Sequence, residues 1–243
     1  MLVSYYANMK FNNYLHVVDI SNPAQPTGVS SYQLPTDEAA FDLDASNGYV
    51  YVAQTKRLVV VDVRNPTAPV TTDVITATNA IYDVAVSGAY AYVSDGSLRV
   101  FDLGDPAHPV EIGFLPLSGY VSTLAVSGQH VYIAGGTGLY VVDISDPAHP
   151  TEAGSTAIAS GDVVDIAAAG SFAFLAAYDA GLRVVDATDP IHPFETAFYD
   201  TPQVTHGVYT SGGYVYVADY KSGLYIFRFN PLIHEIFLPL VMK

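Results

Sequence analysis

The 243-residue chain contains no cysteine and no tryptophan. Without thiols, disulfides, thiolate metal sites and cysteine nucleophiles are all excluded. Positive charge is scarce: nine Lys and Arg stand against 24 Asp and Glu, a formal net charge of −15. Nucleic acid and anionic membranes are held by clustered Lys and Arg, so neither is expected as the main partner. No apolar run approaches the roughly 18 residues of a membrane helix, and membrane insertion by this chain is not expected. Leu2 to Ala7 lack the basic flank and long apolar core of an export signal. No segment carries a helical 3.6-residue period over a useful length. The G-x-S-x-G, H-E-x-x-H and phosphate-loop patterns are missing, as is a G-x-G-x-x-G that opens a helix. What is plentiful is hydrophobic sequence, half of all residues, with 19 Tyr and 11 Phe. Such a chain can bury a core and is not disordered.

One phrase recurs. It reads LHVVDISNPAQP from Leu15, LVVVDVRNPTAP from Leu58, LRVFDLGDPAHP from Leu98, LYVVDISDPAHP from Leu139 and LRVVDATDPIHP from Leu182. A degraded copy, LYIFRFNP, starts at Leu224, where Arg228 replaces the acid. The acids Asp19, Asp62, Asp102, Asp143 and Asp186 recur at intervals of 40 to 43 residues. A second phrase lies between the copies, as GYVYVA from Gly48, AYAYVS from Ala89, QHVYIA from Gln129, SFAFLA from Ser171 and GYVYVA from Gly213. Short apolar runs precede it, beginning at Phe41, Tyr82, Ser122, Val164 and His206. Asn47, Gly88, Gly128, Gly170 and Gly212 join the two, and these residue types tolerate the positive φ of tight hairpin turns.

Each unit therefore holds four strand-like runs rich in Val, Ile, Tyr and Phe. Four short antiparallel strands per roughly 40–45 residues is the module of a β-propeller blade. Runs such as Val59-Val60-Val61 fit sheets that are apolar on both faces. The expected fold is all-β: a six-bladed β-propeller of four-stranded blades, with the first blade incomplete. The units fall at about 1–37, 38–77, 78–118, 119–159, 160–201 and 202–243, within a propeller spanning 1–230 and a tail at 231–243. The phrases GLRVVD, D-P-A-H-P and S-G-x-x-A-Y-V resemble the LVIVD repeat of bacterial and archaeal surface or secreted proteins. The resemblance implies a β-propeller at the cell surface or outside the cell; it implies no particular activity.

The ends are irregular. Val3 to Ala7, Leu15 to Ile20 and Thr27 to Leu34 read as the last three strands of the first unit with no inner strand before them. A natural start upstream of Met1 would explain that gap and the missing export signal together. Ile236 to Met242 reads either as the outer strand of the sixth unit or as a tail resembling the aromatic-LPL-aliphatic-basic ends of some bacterial surface proteins.

Three groups of residues are candidates for chemistry. The Asp column at positions 19, 62, 102, 143 and 186 occurs once per unit, and catalytic groups do not come in five symmetric copies. Followed by Asn-Pro or Asp-Pro, these acids are expected to accept hydrogen bonds from the N–H groups of the next turn. His108, His149 and His192 recur in that turn and are expected at the surface, because equivalent loops diverge around a ring. The second group, Asp42, Asp83, Thr123, Asp165 and His206, falls at the start of the inner strands, at the expected channel mouth. It would serve either to bind a divalent cation through oxygen ligands or merely to hydrogen-bond neighbouring blades. The third, Tyr178, Asp179, Tyr220 and Lys221, lies in variable loops, where binding sites usually sit on rigid scaffolds. No catalytic residue is assigned and no cofactor is required, a divalent cation excepted. The leading expectation is a non-catalytic surface or secreted scaffold that binds an unknown protein or carbohydrate. The alternative is an enzyme or cation-binding propeller working at the channel mouth. An enzyme should break the repeat with one unusual polar cluster.

Overall fold

The computed structural model describes residues 2–4, 14–136, 138–159, 161–230 and 235–242. It consists of six antiparallel sheets that follow one another along the chain. The chain forms two compact units: residues 1–95 with 99–112, and 113–243 with 96–98.

The first unit begins with a three-stranded sheet, β1 (Leu2–Ser4), β2 (Tyr14–Asp19) and β3 (Thr27–Gln33). The expected first strand, Val3 to Ala7, is therefore met only in part, and residues 5–13 lie outside the described residues. The second sheet is a four-stranded meander, β4 (Ala40–Ser46), β5 (Tyr49–Gln54), β6 (Arg57–Asp62) and β7 (Val70–Thr76). The third holds β8 (Asp83–Ser87), β9 (Tyr90–Ser94), β10 (Ser97–Asp102) and β11 (Val110–Pro116).

The second unit continues the pattern. Its sheets are β12 (Thr123–Ser127) to β15 (Thr151–Ala157), with β13 (His130–Gly135) and β14 (Gly138–Asp143) between them. Next come β16 (Asp165–Ala169), β17 (Phe172–Ala176), β18 (Leu182–Asp186) and β19 (Phe194–Tyr199). The last are β20 (Thr205–Ser211), β21 (Tyr214–Asp219), β22 (Gly223–Asn230) and β23 (Glu235–Met242). Thus 235–242 forms the outer strand of the last sheet, paired with β22. The hairpin turns at Asn47, Gly88, Gly128, Gly170 and Gly212 all take positive φ.

Burial on both faces explains the valine runs. Alternate residues of a strand point to opposite sides. In β5 and β6, Val50, Val52, Val59 and Val61 pack with Leu15 and Leu34 of the preceding segment. The intervening Tyr51, Ala53, Leu58 and Val60 pack on the other side with Ile81, Val84, Val93 and Phe101. The second unit repeats this: Ala173, Leu175 and Val185 face Tyr132, Leu139 and Val141. Phe174, Ala176, Leu182 and Val184 face Val208, Val217, Tyr225 and Phe227. At about 25 cal/mol per Å² of apolar surface, this sheet-to-sheet burial is the main favourable term.

The repeated acids cap the turns after the third strands. The Oδ1 atoms of Asp19, Asp62, Asp102, Asp143 and Asp186 accept the N–H of Ser21, Arg64, Gly104, Ser145 and Thr188 at 2.6–2.9 Å. Those bonds hold the Asp19, Asp62 and Asp143 carboxyls below the usual carboxylate range, with the Arg64 guanidinium contributing first at Asp62. The following Asn or Asp does the same for the residue two places on, as Asp146 does for Ala148 at 3.1 Å. His149 and His192 are exposed and sit 2.9 and 3.0 Å from Asp146 and Asp189 of their own turns.

Candidate functional site: an aromatic and histidine cluster in the last two sheets

The opposite ends of the sheets, where second strands turn into third strands, lack this symmetry. In the fifth and sixth sheets that turn is a single 3-10 turn, Tyr178–Ala180 and Tyr220–Ser222. Tyr178 and Tyr220 occupy equivalent places and adopt φ of 39° and 28°. Left-handed backbone at a bulky residue costs about 1–3 kcal/mol and persists only where the surroundings enforce it.

The enforcing contacts are buried. The Thr205 hydroxyl, with no exposed surface, donates to the carbonyls of Tyr178 at 3.1 Å and Gly181 at 3.2 Å. Arg183 Nη2 donates to the Ala180 carbonyl and to Asp200 Oδ1, both at 2.7 Å, and its guanidinium lies 4.7 Å from the Phe198 ring centre. Gly181 closes the turn at φ 77°, and a Cβ there would stand 2.3 Å from the Tyr199 carbonyl oxygen. Asp219, directly before Tyr220, is also fully buried. Its carboxylate accepts from the Thr201 hydroxyl at 2.9 Å and the Gln203 N–H at 3.2 Å.

Between the two tyrosines stands His206. Its ring is 5.7 Å from Tyr178 and 5.8 Å from Tyr220, centre to centre, edge-to-face with both. All three rings are exposed, Tyr178 at 42% and Tyr220 at 63%. His206 is the extra residue of a β-bulge: Thr205 pairs with Asp219 and Gly207 with Ala218, leaving His206 unopposed. Bulges re-aim side chains in this way, often beside active sites. Lys221 Nζ lies 5.5 Å from the Tyr220 ring centre, and Asp179 is exposed in the neighbouring turn.

The inner-strand acids make a different arrangement. Asp42 Oδ2 accepts the Val84 N–H at 3.1 Å, and Asp44 Oδ2 the Val86 N–H at 2.7 Å, tying β4 to β8. Asp165 Oδ2 likewise accepts the Val208 N–H at 2.7 Å, tying β16 to β20. Thr123 is buried at the start of β12. Asp42 and Asp83 are hydrogen-bonding neighbours. Burial first, and then the adjacent Asp83 carboxyl, push the Asp42 carboxyl far above the usual carboxylate range. Among the described residues, no three His, Asp or Glu side chains group as ligands for a metal ion.

The sequence placed His206 with the inner-strand acids and placed Tyr178 and Tyr220 in loops, as separate groups. The structure brings these three together. A signal was present: among the residues that open the inner runs, Phe41, Tyr82, Ser122, Val164 and His206, only the last is an imidazole, the side chain most often used for general acid–base work.

The LVIVD repeat model matches residues 6–34, 39–74, 81–115, 118–157, 160–201 and 204–227, so the chain belongs to the LVIVD-repeat family. A comparison with curated proteins found no match. Solved structures share the fold. A Bacteroides uniformis protein described as a candidate 6-phosphogluconolactonase superposes with a TM-score of 0.80 at 16% identity, covering 100% of this chain and 82% of its own. A periplasmic gluconolactonase of Pseudomonas aeruginosa gives 0.77 at 14% identity, covering 93% and 76%. A functionally unknown protein of Desulfotomaculum acetoxidans gives 0.74 at 15%, covering 98% and 75%. These likenesses correct the expectation of a non-catalytic surface scaffold. A fold that carries a gluconolactonase is no mark of a passive scaffold.

Proposed function

We propose that this protein is a hydrolase of the lactonase kind, opening the cyclic ester of a sugar acid at His206. The observation that carries the reading is His206, unopposed on its bulge, between two exposed tyrosines with left-handed backbone, the Tyr178 turn being tied to buried Thr205. Strain concentrates at functional sites because the surrounding structure has to maintain it. The six successive sheets, joined face to face by apolar clusters within each unit, further support reading them as the blades of a β-propeller, the first with three strands. In that arrangement, the start of an inner strand lies at a channel mouth, the position expected for an enzymatic site.

The chemistry asked of the cluster is modest. The neutral imidazole of His206 takes a proton from water, and the resulting hydroxide adds to the lactone carbonyl. Collapse of the tetrahedral adduct breaks the bond from the carbonyl carbon to the ring oxygen. That oxygen takes the proton from the imidazolium, and an open-chain hydroxy acid leaves. The tyrosine rings supply apolar faces for the C–H surface of a sugar ring at low conformational cost.

The test is hydrolysis of glucono-1,5-lactone, followed by acid release above the spontaneous background. His206→Asn is expected to lower kcat by about 10²–10⁴-fold. Because His206 is exposed, the far-ultraviolet dichroism should stay as in the wild type. A variant retaining more than half the wild-type rate removes His206 from the chemistry. Wild-type protein that opens no lactone ends the reading.

A further inference from the structure

Resting on that hydrolase reading, we infer that the site takes a neutral sugar lactone and discriminates against a phosphorylated one. Positive charge is scarce around the cluster. Recognition of a phosphate dianion needs converging charge-assisted donors, typically an Arg fork, several N–H groups at a helix N-terminus, or both. In the second unit, the described cationic side chains are Arg183, Lys221 and Arg228.

Two of these cannot serve the cluster. The Arg183 side chain is 7% exposed, and its guanidinium is engaged by Asp200, Glu195 and the Ala180 carbonyl. Arg228 pairs with Tyr214 at the far end of the β21–β22 ladder, whereas Asp219 and Gly223 pair at the cluster end. Five residues of strand separate those ends, about 16 Å. Of the described cations of the second unit, Lys221 alone remains, partly committed to the Tyr220 face. Against it stand the Asp179 and Asp219 carboxyls of the same two turns. Neither turn offers a helix dipole, since each is a three-residue 3-10 turn. The net charge of −15 opposes approach of an anionic substrate as well. A neutral ring meets none of these costs and finds two aromatic faces and an imidazole.

The experiment compares kcat/KM on glucono-1,5-lactone and on its 6-phosphate for the wild type and Asp179→Lys. The wild type should favour the neutral lactone by about tenfold or more, and Asp179→Lys should shift the ratio toward the phosphate by about tenfold, near 1.4 kcal/mol. Equal or better use of the phosphorylated lactone by the wild type overturns the inference while leaving the hydrolase reading intact. Binding is measured separately from catalysis, by titrating glucitol and glucitol 6-phosphate against the His206 ring-proton NMR signals. Shifts with glucitol alone support the inference even if no lactone is opened. Shifts only with the phosphate, or with neither polyol, overturn it.

Discussion

Asp42 offers the sharpest test of how the first unit is held together. Its carboxyl is raised from 3.8 to about 9 by burial and by the adjacent Asp83 carboxyl. The folded state therefore favours protonated Asp42, which serves the unit fully below pH 4. As pH rises from 4 toward 9, the unfolded chain loses this proton freely while the folded chain must keep it, so stability falls. Each unit of difference is worth about 1.4 kcal/mol, which bounds the penalty at roughly 4 kcal/mol by pH 7. Asp42 is only half-buried and its carboxylate accepts the Val84 and Leu43 N–H groups, so partial relief should leave about 1–2 kcal/mol. Asp42→Asn keeps the acceptor for Val84 and carries no charge at any pH. It should raise Tm at pH 8 by about 2–6 °C for a chain of this size, with the gain gone at pH 4. The assay is thermal unfolding of both proteins at pH 4, 6 and 8, by dichroism. A pH-independent difference, or a loss of stability at pH 8, refutes the shared burial of the two carboxyls.

Two further substitutions probe the frame of the cluster. Thr205→Val removes the hydroxyl that serves the Tyr178 and Gly181 carbonyls. The Gly181 carbonyl keeps the Ala177 N–H at 2.8 Å, so urea unfolding should show a loss of about 1 kcal/mol, the usual net worth of a hydrogen bond, and lactone KM should rise as Tyr178 loosens. Gly181→Ala forces a Cβ against the Tyr199 carbonyl oxygen at a φ of 77°. A loss of at least about 2 kcal/mol is expected in the same assay, and wild-type stability would refute the geometry.

Much of the architecture was legible because repetition amplifies weak signals. One valine-rich run cannot distinguish strand from buried helix. Five copies of L-x-V-[VF]-D-x-x-[ND]-P at a nearly constant lag fix strands, turns and register together. The capping role of Asp62 or Asp143 was readable for a local reason: carboxyl and N–H partner are two residues apart. The inner-strand bonds were harder, since Asp42 and Val84 are 42 residues apart and Asp165 and Val208 are 43 apart. The two turns carrying Tyr178 and Tyr220 read as variable loops, because the partner that ties the first of them, Thr205, is 27 residues from Tyr178 and has no motif of its own.

The sequence alone determined the module: its length, its four strands, its capped turns and its apolarity on both faces. All of these are properties of contacts within about 40 residues, restated in every copy. Tertiary structure decided what happens where the copies differ. Only the stacking of the last two sheets sets His206 between Tyr178 and Tyr220, and only packing of β4 against β8 sets Asp42 on Asp83. Such encounters depend on how one sheet faces the next, and no local pattern in the chain encodes that.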